Sequence, residues 1–261
     1  MQPRFVGRLG IADAVTTANA VMGFLAVAVA FSDVRLAARI MLLAAIADGL
    51  DGVVARRYGS SAAGPYLDSL ADVASFGVAP AVLVYAAVRE YTSGPAWSID
   101  PGTVAAFVIP GLFVAMAVVR LALYTALDED AAETTGVPST LAATIMGAAV
   151  VADVIDPWVL LGVTAAFVYL MVSPIRYPDL LARDALLMGV VHALAVFVPD
   201  ATRVPVVPDA IGRGFPRALL ILGLAYMFLS PWLYWRDGFP VLDADDADAD
   251  REAPTDGKGN A

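Results

Sequence analysis

Several runs of about 16 to 22 residues carry almost no charge, which is the length that crosses a bilayer's hydrocarbon core as a helix. Inside lipid every backbone polar group must be satisfied within the segment, so uncharged runs of this kind fold as helices. Eight are expected, near 12–31, 36–57, 66–88, 103–125, 138–154, 157–172, 184–199 and 215–235. The chain is 59% hydrophobic, against about half for soluble domains. The fold class is therefore an all-α integral membrane protein with about eight transmembrane helices. The first run has a basic start but no small-residue cleavage site after it, so it is expected to be an anchor. Breakers such as "SDVR", "TSGPAWSIDPG" and "SPIRYPD" punctuate the runs. The fifth and sixth helices meet at Asp156-Pro157 and are expected to form a tight antiparallel pair. Residues 1–239 read as one polytopic domain, and the acidic stretch 240–261 as a solvated, disordered tail.

The even helix count puts both ends on one side. With that side cytoplasmic, Arg4, Arg8, Arg56, Arg57, Arg176, Arg183 and Arg236 lie near cytoplasmic ends. Arg35, Arg39, Arg89, Arg203, Arg213 and Arg217 face outward, so the positive-inside bias is weak.

Cysteine is absent and His192 is the single histidine. Thiolate and multi-histidine metal sites are thereby excluded, and any bound metal needs oxygen ligands, which favours Mg²⁺, Mn²⁺ or Ca²⁺. The net charge is −10, and of 16 basic residues only Lys258 is lysine. Such composition resembles proteins of salt-loving archaea, where screening blunts self-repulsion.

Against this background "AIADGLDGVVARRYGSSAAGPYLDSLADVASF" (45–76) is the anomaly. Asp48 and Asp51 share one helix face at i, i+3. Asp68 and Asp72 share another at i, i+4. The intervening turn makes the two helices antiparallel, so all four carboxylates are expected to converge at one membrane side. An Asp at a membrane helix centre costs roughly 2.5–3.5 kcal/mol, and four together repel. Two divalent cations would neutralise them. Paired metals are the usual clamp for phosphoryl transfer. Gly52 and Ala55 lack bulk, so a ligand or a neighbouring helix can approach the backbone. Arg56 offers a fork of donors for phosphate oxygens, and Gly64 opens the turn before the second acidic pair.

Written out, D48-x2-D51-G52-x2-A55-R56-x7-G64-x3-D68-x3-D72 resembles the signature of the CDP-alcohol phosphatidyltransferase family, with all eight specified positions filled. The resemblance implies a membrane-embedded enzyme with a six-helix core, commonly a homodimer, and a site facing the cytoplasm of the cell membrane. It implies transfer of a phosphatidyl-type group from a CDP-lipid to an alcohol, with release of CMP. Asp48, Asp51, Asp68 and Asp72 would hold two divalent cations, Mg²⁺ or Mn²⁺. Asp72 would also be the base for the acceptor hydroxyl. Asp51, Gly52, Ala55, Arg56 and Gly64 would line the CDP site. The partners are lipids, with no nucleic acid.

Four further segments resemble the family's serine-using branch: "LDSLADVASFGVAPA" (67–81), "TTANAVMGF" (16–24), "TGVPSTLAAT" (135–144) and "LMVSPIRYPDL" (170–180). The acceptor implied is L-serine, and the donor CDP-archaeol or CDP-diacylglycerol. The branch's R-x-A-R-[FY]-N stretch reads "RLALYT" here. Arg120 is kept, while Leu123 and Thr125 stand at the second Arg and the Asn. Arg120 either binds an acceptor carboxylate or phosphate, or snorkels to the interface. Thr16 and Asn19 either touch the nucleotide or bond between helices. His192 is expected to pack, Asp153 and Asp156 to be hydrated boundary residues, and "YMFLSPWLYW" to form an interfacial aromatic belt. Two alternatives stay open. One is the same chemistry with glycerol 3-phosphate or inositol phosphate as acceptor. The other is a cation transporter using the Asp cluster.

Overall fold

A computed structural model describes residues 9–59, 61–92, 95, 98–128, 133–178, 182–198 and 209–236. The acidic tail, Arg4, Arg8 and Arg203 lie outside the described residues. The side chains of Arg56, Arg183 and Arg236 do too.

Helix α1 (Ile11–Val29) turns back into α2 (Val34–Tyr58). Asp33 caps α2 by accepting the Leu36 N–H at 2.8 Å, which satisfies one of the orphan donors of its first turn. The α2 helix stops at Gly59, whose φ of 84° suits a residue without a Cβ. The third rod is composite: α3 (Gly64–Asp72), a π-helical stretch (Val73–Val78) and α4 (Ala79–Arg89). Pro65 sits in the first turn of α3, where its missing N–H costs nothing. The fourth rod, α5 (Pro101–Leu123), is capped by Asp100, which accepts the Thr103 N–H at 3.0 Å. It ends in a second π-helical stretch (Tyr124–Asp128). There follow β1 (Glu133–Thr135), α6 (Ser139–Ala152), α7 (Pro157–Leu170), β2 (Arg176–Pro178), α8 (Ala182–Phe197), a short α9 (Asp209–Gly212) and α10 (Gly214–Arg236). The eight expected rods are all present among the described residues. Four of them are long and apolar enough to cross a bilayer on their own count. Large apolar side chains such as Phe24, Phe107, Ile221 and Phe228 face outward, as lipid requires.

Helix α6 is the centre of the bundle. Nearly every residue from Leu141 to Ala152 is buried. Its small residues permit this: a Cβ on Gly147 would come within 2.8 Å of Met41 Cε on α2. Here the sequence expectation fails. Helices α6 and α7 are joined by a short turn but do not form a tight pair. Asp153 turns the chain in the left-handed region (φ 55°), and α7 leaves to pack on α5 and α4. Helix α6 instead lies between α2 and α10. Burying small residues on all sides is worth more to α6 than one sequential neighbour.

Asp153 is an exposed helix-end residue, as expected, and it also bridges Arg35 at 2.7 Å and Arg213 at 3.2 Å. Two other expectations need correction. Arg39 is buried; its Nη1 donates to the carbonyls of Val196 (2.8 Å) and Val198 (2.9 Å) at the end of α8, where a cation meets the helix dipole. In the expected aromatic belt, Trp232 is exposed, but Tyr226 turns inward to Tyr177, ring centroids 6.2 Å apart. His192 is buried, as expected, and Asp156 caps α7 by accepting the Trp158 N–H at 2.8 Å.

Candidate active site

The ends of α1, α2 and α3 and the second π-helical stretch line a cavity of about 510 Å³ at one end of the bundle. Asp51, Gly52, Ala55, Gly64 and Asp68 are on its wall. These are five of the eight motif positions, brought together by the antiparallel turn between α2 and α3. Arg56 lies on the same α2 segment.

The acids divide into two groups. One carboxylate oxygen from each of Asp48, Asp68 and Asp72 lies within 4.8 Å of the others. Asp72 is buried. Asp51 is not one of this trio; it is held by Thr16, whose Oγ1 donates to Asp51 Oδ2 at 2.8 Å. The four-acid convergence is therefore three acids plus one, with Asp68 joining the trio to the cavity wall. Three close carboxylates need compensating charge, and an all-oxygen donor set suits a hard divalent cation. The residues present fit such an ion.

Helix α1 supports the acids from behind. Asn19, fully buried, places Nδ2 3.4 Å from Asp72 Oδ1. Its backbone carbonyl accepts the Ser75 Oγ hydrogen at 2.8 Å. Gly23 follows one turn later, and a Cβ there would come within 2.7 Å of Ser75 Oγ and 2.9 Å of the Ala74 carbonyl carbon. The T-x-x-N-x3-G pattern of α1 is thus the face that docks on the π-helical stretch directly after Asp72. Thr16 is on the cavity wall and Asn19 is not. Both make interhelical bonds.

The two serine-branch segments at 135–144 and 170–180 meet beside the antiparallel pair β1–β2, in which Glu133 is opposite Pro178 and Thr135 opposite Arg176. Gly136 (φ 78°) seals it: its N–H donates to Ile175 O at 2.7 Å. A Cβ there would fall 2.1 Å from Met171 O. Arg120 is buried and donates to Thr134 Oγ1 at 3.0 Å, with its guanidinium 5.8 Å from the Tyr124 ring centroid. It does not snorkel; it fastens α5 to the sheet. Leu123 points outward, half exposed. Thr125 lies on the cavity wall, its hydroxyl hydrogen-bonded to that of Ser69.

Sequence reasoning missed Asp13, Ser69 and Tyr124, all on the cavity wall. The signal for Asp13 was present. Asp13, Thr16 and Asn19 recur every three residues, so they share one face of α1. Ser69 lies between two motif acids, where only the fold shows that it faces Thr125.

A carboxylate trio with one member, Asp68, on a cavity wall is an arrangement that hard cations and a phosphorylated ligand would suit. Residues 9–198 match the model of the CDP-alcohol phosphatidyltransferase family. The chain belongs to that family. It is 30% identical over 174 residues to the archaetidylserine synthase of Methanothermobacter thermautotrophicus, covering 65% of this chain and 70% of that protein. It is 42% identical over 97 residues to the CDP-diacylglycerol–serine O-phosphatidyltransferase of Mycobacterium leprae, covering 37% of this chain and 29% of the relative. A protein of the same description from Methanocaldococcus jannaschii is 47% identical over 77 residues, 29% of this chain and 35% of its own.

Proposed function

We propose that this chain is a CDP-lipid:L-serine O-phosphatidyltransferase acting in the cell membrane, with residues 1–239 as its catalytic unit. The observation that carries the reading is the Asp48–Asp68–Asp72 trio opening, through Asp68, on a cavity walled by Asp51, Gly52, Ala55 and Gly64. Serine as acceptor is supported by the names of the relatives. CDP-archaeol as donor is supported by the archaetidylserine synthase among them, with CDP-diacylglycerol the counterpart in the others.

Asp48, Asp51, Asp68 and Asp72 would hold two divalent cations, Mg²⁺ or Mn²⁺. When bound, these polarise the diphosphate and offset the charge on departing CMP. The rest falls to the chain. The serine oxygen bonds to the lipid-side phosphorus, the bond from that phosphorus to the CMP oxygen breaks, and Asp72 accepts the hydroxyl proton as general base. The Asn19 amide orients Asp72, and Thr16 orients Asp51. Gly52, Ala55 and Gly64 give the nucleotide close access to the backbone, and Arg56 offers its fork to the phosphates. The cavity end is read as cytoplasmic. Arg57 and Arg176 lie there; at the other end Arg35 and Arg213 are tied to Asp153, Arg39 is buried, and Arg89 and Arg217 are also present, so the charge bias is weak and the assignment follows the family resemblance. The working unit is read as a homodimer, which cross-linking in native membranes would check.

The test is CMP release by purified protein in high salt with CDP-archaeol and Mg²⁺ or Mn²⁺. L-Serine is compared with glycerol 3-phosphate and inositol phosphate, with Asp72→Asn alongside. Serine-dependent release that the variant lacks is expected. Release only with a phosphorylated acceptor would keep the chemistry and overturn serine. No release from folded, metal-binding protein would return the acids to an ion-transport role.

A further inference from the structure

Asp13 is a fifth acid at the site, outside the family motif. It is 2% exposed, yet it lines the cavity with Asp51, Gly52 and Gly64. Its Oδ2 accepts the Gly10 N–H at 2.6 Å and its Oδ1 accepts the Ser61 hydroxyl at 3.1 Å. Ser61 Oγ in turn accepts the Ala63 N–H at 3.2 Å, so the carboxylate is fixed against the α2–α3 turn. A carboxylate has about four acceptor positions, so each oxygen can take one more donor.

Building on the nucleotide reading of this cavity, we propose that Asp13 is a specificity-determining residue. It accepts a hydrogen bond from the 4-amino group of the cytosine ring, and so selects cytidine over uridine nucleotides. The argument is one of sign and position. A fixed carboxylate repels phosphate, so the ligand group facing Asp13 must be a donor. A cytidine nucleotide offers donors only on the base amino group and the ribose hydroxyls. Helix α1 acts as a ruler for choosing between them. Asn19 stands beside Asp72 and Thr16 beside Asp51. Asp13 lies six residues from Asn19, about 9 Å along the axis at 1.5 Å per residue. With the diphosphate at the acid trio, the ribose falls near the level of Asp51 and the base near Asp13. Carboxylate acceptance from the cytosine amino group is a standard pairing. Uracil would present a carbonyl oxygen to the same carboxylate, and two acceptors repel.

The competing explanation is that Asp13 only caps α1 and ties down the turn. Ser61→Ala removes the turn contact and leaves the carboxylate, so it separates the two. Full-length protein in detergent with Mg²⁺ would be titrated calorimetrically with CMP, UMP and 2′-deoxy-CMP. Wild type, Asp13→Asn, Asp13→Ala and Ser61→Ala would be compared. The wild type is expected to prefer CMP to UMP. Losing one charge-assisted bond should cut that preference roughly tenfold to a hundredfold in both Asp13 variants. Asp13→Asn should also gain in UMP binding, because its amide can donate to the uracil carbonyl. Ser61→Ala should keep the wild-type preference. An unchanged CMP-to-UMP ratio in folded Asp13→Asn would overturn the proposal, as would the same loss in Ser61→Ala. A changed preference for CMP over 2′-deoxy-CMP, with base preference intact, would move the contact to the ribose and overturn it too. Failure of the wild type to bind CMP would instead reject the nucleotide reading itself.

Discussion

Replacing Gly23 by alanine probes how tightly the catalytic geometry depends on a contact that carries no chemistry. The added Cβ would sit 2.7 Å from Ser75 Oγ and 2.9 Å from both the Ala74 carbonyl carbon and Ser75 Cα. Ordinary contact begins near 3.4 Å; the Ser75 hydroxyl can rotate away, but the two backbone atoms require α1 and the π-helical stretch to part by about 0.5 Å (3.4 less 2.9). Two of the three obstructing atoms are backbone, so a rotamer change cannot absorb the shift. Overpacking of this kind costs about 1–3 kcal/mol. The displacement acts on the face that carries Asn19 toward Asp72 and Thr16 toward Asp51. Since a 1 Å misplacement in an active site can cost 10²-fold, the turnover rate should fall by roughly tenfold or more while the protein still folds. CMP release measured beside a thermal melt, with Gly189→Ala as control, tests this. A Cβ on Gly189 meets nothing within 4 Å, so that variant should match wild type. Wild-type turnover and melting in Gly23→Ala would show that α1 does not set the position of the acids.

Thr16→Val removes the hydroxyl that donates to Asp51 at 2.8 Å. It should cost about 1.5–3 kcal/mol of nucleotide-metal affinity, read as a raised Mg²⁺ requirement in CMP release. Gly136→Ala places a Cβ 2.1 Å from a backbone carbonyl at φ 78°. It should fail to accumulate as folded protein, seen by detergent-phase size exclusion. Asp153→Ala removes both bridges from a half-exposed site. It should cost about 0–1 kcal/mol, a difference that shrinks as NaCl is raised in the melt because salt screens exposed charges. Chelation with EDTA should abolish CMP release, and Mg²⁺ or Mn²⁺ should restore it; activity surviving exhaustive chelation would refute the cation role of the acid trio.

Much of the site was legible because its residues are close in sequence. Two helices and one turn carry the whole motif, and helical spacing alone puts Asp48 with Asp51 and Asp68 with Asp72 on common faces. What spacing cannot reveal is rotation of one helix about its axis relative to the next. That rotation leaves Asp51 with Thr16 and gathers Asp48, Asp68 and Asp72. The G-x-P and S-x-x-x-Y-P segments were visible as patterns, but their pairing into a sheet spans some forty residues and has no local signal. Arg120 was ambiguous for the same reason. Its partner Thr134 is fourteen residues further on, outside helical spacing.

Uncharged length by itself determined that this chain is a helical membrane protein, because a bilayer admits only helices and closed barrels, and unbroken apolar runs of this length are too long and too uniform for barrel strands. The identity and spacing of eight residues determined the chemistry they resemble. Only the tertiary structure decided that α6 lies at the centre rather than beside α7, since all-round burial of small residues depends on which helices surround them. It also decided that Asp13 reaches the cavity and that Arg39 is buried. Those outcomes depend on how helix faces are turned toward one another, a quantity set by packing and not by the order of residues along any one helix.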